Sequence, residues 1–69
     1  MKFENVGHAM RVRDAMITRL DINRTTMRDA RNMKDSPEQR RIIAAAEAAH
    51  ENDCDTFCEA HSFVVANRH

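Results

Sequence analysis

From Pro37 to about Ala66, apolar positions recur three and four residues apart. At about 100° per residue, Ile42, Ile43, Ala46, Ala49, His50, Asp53, Cys54, Phe57, Ala60, His61 and Val64 fall on one stripe. Arg40, Arg41, Glu47, Glu51, Asp55, Glu59 and Ser62 lie mostly off it. This is the pattern of a helix buried along one side. Its start is punctuated by Asp35-Ser36-Pro37-Glu38-Gln39. Ser36 suits an N-cap, and Pro37 suits the first helical position, where its missing N–H costs nothing. Glu38 sits well at the positive helix end, and Gln39 is placed to close a capping box.

The first half is less regular. Val6, Ala9, Met10, Arg13, Met16, Ile17 and Leu20 share a face that continues through Arg24 and Met27. A helix is expected from about Asn5, itself a cap former, although Gly7 weakens its first turn. After Leu20, the run Asp21-Ile22-Asn23-Arg24-Thr25-Thr26 holds β-branched residues and cap formers, both poor in a helix interior. Two readings stay open. Either one helix runs from about 5 to 34, or it breaks near Asp21 and restarts.

With one Gly, one Pro and no sustained strand alternation, little room remains for loops or hairpins of β-structure. The predicted fold is all-α. It is a hairpin of two long antiparallel helices, about 5–34 and about 37–66, turning at 35–36 within a single domain. A chain of 69 residues buries a small core, and this one has no Trp or Tyr and many alanines. Such domains usually need a disulfide, a metal or a partner chain. A homodimer paired into a four-helix bundle is therefore expected.

The net charge is zero but unevenly spread. Between Arg11 and Arg41 nine basic residues stand against five acidic ones, whereas from Ile42 onward five acidic residues stand against Arg68 alone. Complementary antiparallel helices account for this division, and so does a basic surface for nucleic acid. No apolar leader or membrane-length run is visible, so a cytoplasmic protein with reduced cysteines and no membrane association is expected.

The segment Leu20-Asp21-Ile22-Asn23-Arg24-Thr25-Thr26-Met27-Arg28 resembles the turn and recognition-helix start of the Fis family of bacterial DNA-binding proteins. Ile22, Asn23, Arg24, Thr26, Met27 and Arg28 match that pattern, and Asp21 stands where the family has a turn glycine. The resemblance spans residues 16–31. It implies a helix-turn-helix in which Asn23, Arg24, Thr25 and Arg28 face phosphates or base edges.

His50, Cys54, Cys58 and His61 are the metal candidates, since they fall three and four apart on one helix. One straight helix offers two ligands to an ion rather than four. His50 with Cys54, or Cys58 with His61, would be half a site needing His8 or a second chain, so no bound metal is expected. Two charged residues interrupt apolar faces, Arg13 and Asp53, and an ion pair between them across the helix interface is expected. For catalysis there is no phosphate loop, nucleophile elbow or metalloprotease motif. The expected protein is not an enzyme and takes no cofactor or small-molecule substrate. It is a small regulatory or inhibitory protein that binds a protein partner through Arg11, Arg19, Arg24, Arg28 and Arg31. The alternatives are a dimeric helix-turn-helix-like DNA-binding protein and a structural oligomerisation module.

Overall fold

The computed structural model describes residues 3–68. Two helices, α1 (Val6–Arg31) and α2 (Pro37–Asn67), form an antiparallel hairpin of 51 × 17 × 13 Å. Among the described residues no strand is present. α1 runs unbroken through Asp21, so the two-helix reading holds. The β-branched run is tolerated because α2 packs alongside it, and tertiary packing outweighs local preference.

Both predicted caps form. Asn5 accepts a 2.8 Å hydrogen bond from the His8 backbone N–H, and Ser36 accepts one of 3.1 Å from Gln39 N–H. The capping box does not close. Instead the Gln39 side chain turns to the neighbouring helix and donates to the carbonyls of Ala30 (2.9 Å) and Met33 (3.0 Å). Ala30 lies in the last turn of α1, its carbonyl also accepting from the Met33 N–H at 3.1 Å, and Met33 lies in the connection, so Gln39 staples the turn. α1 accordingly ends at Arg31 and not near Lys34, and the connection takes Asn32 to Ser36. It needs no glycine, because Asn32 stays in right-handed geometry.

The seam is built on a seven-residue repeat. Ala9, Met16, Asn23 and Ala30 line it from α1; Gln39, Ala46, Asp53 and Ala60 line it from α2. Ala9 and Ala60 are fully buried, and Ala30 and Ala46 nearly so. Small side chains here let the two backbones approach closely. This turns α1 away from the face expected from its large residues. Met10, Ile17 and Arg24 lie on the flank, and Val12, Asn23 and Ala30 turn inward. Phe3 closes the open end against Val64, Ala60 and Phe63, its ring 5.4 Å from that of Phe63.

Candidate functional site

The seam's chemistry centres on Asp53, which is 3% exposed. Its carboxylate accepts from Asn23 Nδ2 at 2.8 Å and from Arg19 Nε at 3.2 Å. The expected pairing with Arg13 does not occur; the Arg13 Nε instead lies 3.7 Å from its neighbour Asp14. The register explains the difference. Its two partners, Arg19 and Asn23, place Asp53 opposite the stretch 19–23 of α1, and Arg13 lies further toward the open end. The Asn23 hydrogen bond, aided by the bond and charge of Arg19 and the charge of His50, outweighs burial and holds Asp53 below its ordinary 3.8.

This cluster takes in two of the residues singled out in the sequence, Asn23 and Arg19. Asn23 is half-buried and bonded to Asp53, and α1 continues unbroken through Asp21. Arg19 keeps an exposed side chain but directs its Nε into the seam. The spacing of seven from Met16 to Asn23 to Ala30 was the sequence signal for Asn23's position.

The remaining arginines split by position. Arg24, Arg28 and Arg31 share one flank of α1, and Arg11 lies on the other side. All four are exposed, as is Thr25. Arg28 lies 3.4 Å from the adjacent Asp29, while among the described residues Arg11, Arg24 and Arg31 have no ion pair.

Beside the seam runs a shallow groove lined by Ile17, Thr18, Leu20, Asp21 and Arg24 from α1 and Phe57 from α2. Ile17 is 53% exposed and Met10, seven residues before it, 41% exposed. Across the groove the Phe57 and His61 rings stack at 6.0 Å. His50 is on the same side of α2, and its Nδ1 is buried with no hydrogen-bond partner.

Cys54 is half-buried and Cys58 exposed, both as free thiols. Among the described residues no three of His, Cys, Asp and Glu converge on one point. His8 does not join the α2 residues, because its Nδ1 accepts from the Glu4 backbone N–H at 3.2 Å beside the Phe3 ring. Among the described residues no helix is long and apolar enough to cross a membrane. Compared with known proteins, the chain has no significant match to a family model, a curated protein or a solved structure.

Proposed function

We propose that the protein is a small non-enzymatic regulator or inhibitor that binds another protein through the outer surface of α1. The observation that carries this reading is the uncompensated charge of that helix. α1 holds six arginines against three aspartates, and Arg11, Arg24 and Arg31 find no acidic group within the described chain. Exposed guanidinium groups on a rigid helix suit carboxylate-rich surfaces, to which they bond in bidentate fashion. The test is affinity capture from a nuclease-treated extract of the source cells. A stoichiometric protein that is retained by the wild type and lost with Arg11→Glu plus Arg28→Glu supports the reading. Equal capture by both proteins sinks it.

Arg24, Thr25 and Arg28, exposed within one stretch of α1, favour DNA binding as a second reading. On an unbroken helix these side chains would serve mainly as phosphate contacts, so binding would fall steeply with salt. Fluorescence anisotropy with a labelled duplex at low and physiological salt decides it. Absence of binding at low salt removes this reading.

A further inference from the structure

We infer that the face carrying Met10, Ile17 and Phe57 is covered by a second copy of this chain, with the dimer two-fold axis parallel to the helices, so that each basic α1 lies on the partner's acidic α2. This goes beyond the proposed function, with which it shares Arg24, a residue of the groove lining.

The hairpin's packing leaves a need for such a cover. Among the described residues no large side chain is fully buried, and the buried apolar set is mostly alanine. Ile17 and Met10 stay exposed on the groove side, with Leu20 and Phe57 half-covered. A ribbon 51 Å long and 17 Å wide offers enough surface for the roughly 800 Å² per partner that a stable interface buries.

Symmetry and charge then select the occupant and its orientation. Two ribbons stacked face to face by a two-fold axis have two arrangements. An axis across the helices lays α1 on α1 and α2 on α2. An axis along the helices lays α1 on the partner's α2. Leaving aside the Arg19–Asp53 pair within the seam, α1 carries five arginines and three aspartates, whereas α2 carries five acidic residues and two arginines. The first arrangement therefore sets like charge on like, and the second sets opposite charges together.

The register makes this specific. Counting at equal rise from the Ala30–Gln39, Arg19–Asp53 and Asn23–Asp53 bonds, Ile17 is level with residues 52–59, the stretch that holds Cys54 and Phe57, and Arg24 with residues 45–52, the stretch that holds Glu47. A two-fold along the helices preserves height. Ile17 then meets the neighbouring Cys54 and Phe57, and the unpaired Arg24 meets the neighbouring Glu47. Cys54 follows Glu47 by seven residues, and Phe57 follows Cys54 by three, so all three turn toward the groove side.

Analytical ultracentrifugation of the full chain tests this. The wild type is expected at twice the 8.0 kDa chain mass. Ile17→Asp, at an already exposed position, is expected to yield a helical monomer. Arg24→Glu alone and Glu47→Arg alone should each weaken the dimer by about tenfold, because each places like charges together twice. An equimolar mixture of those two variants should restore the dimer, since both contacts between chains become complementary again. A monomeric wild type at high micromolar concentration overturns the inference. So does a dimer that Arg24→Glu leaves intact, or one that mixing the variants does not restore. The regulatory reading stands or falls separately, on capture through Arg11 and Arg28.

Discussion

Asn23 on α1 donates a 2.8 Å hydrogen bond to the buried carboxylate of Asp53 on α2, with Arg19 completing the other oxygen at 3.2 Å. Elsewhere the seam is largely alanine, and alanines slide past one another with little preference for one register. A carboxylate that must find both partners penalises every shifted alignment. The cluster therefore specifies the hairpin's register, a role attested for single buried polar groups in helical assemblies.

This assignment has a pH signature. Because Asp53 titrates below its ordinary 3.8 when folded, its stabilisation is fully present above that value and is lost as pH falls through the lower, folded one. Thermal melts should show wild type above Asp53→Asn at neutral pH, with the gap narrowing as pH drops below 3.8. A gap of the same size in acid would show that the ionised carboxylate contributes nothing.

Replacing the Asn23–Asp53 pair should separate stability from register. Asn23→Leu with Asp53→Leu is expected to melt no lower than wild type, since an apolar pair avoids desolvating a charge. Pairs of spin labels across the seam should then report a broader distance distribution. An unchanged, narrow distribution would assign register to the alanine packing and the turn.

Gln39→Ala removes two hydrogen bonds, those to the Met33 carbonyl and to the Ala30 carbonyl, which keeps its bond from the Met33 N–H. The expected loss is about 1–3 kcal/mol in denaturant unfolding. Gln39→Glu should not rescue it, because a carboxylate offers acceptors where donors are required. Rescue by Glu would mean that the capping box, and not the turn staple, is the stabilising use of this residue.

Ala60→Leu puts a branched side chain where the backbones meet, and about 1–3 kcal/mol of destabilisation is expected from overpacking. Ala44→Leu, on the exposed side of α2, serves as control and should stay close to wild type. Equal effects at the two sites would refute the close approach of the helices at Ala60.

His50→Leu should stabilise the hairpin by about 1 kcal/mol, because it removes the buried Nδ1 that finds no partner. Calorimetry reads this directly. A lower melting temperature would show that the imidazole's influence on Asp53 outweighs the cost of its orphaned nitrogen.

Much of the architecture was written locally in the sequence. Ser36-Pro37 marks the start of α2 without reference to the rest of the chain, and Asn5 marks that of α1, because a cap satisfies amides within its own first turn. The three-and-four spacing from Ile42 to Val64 fixes α2's buried side, and the scarcity of Gly and Pro leaves helices as the repeated element. The other outcomes depended on which residues of α1 meet which of α2. The sequence marks Arg13 and Asp53 as charges on apolar faces, but choosing Arg19 and Asn23 as partners requires the register. Gln39 has two competing uses, and only the position of the α1 carbonyls selects the staple. The face of α1 was decided by close approach at Ala9 and Ala30, which weigh little on any hydrophobic scale yet admit the neighbouring backbone. Caps and periodicity act over one or two turns and are legible along the chain. Register and facing are set by contacts between the helices, nine positions apart at Gln39–Ala30 and thirty or more at Asp53, and these come into being only when the two helices meet.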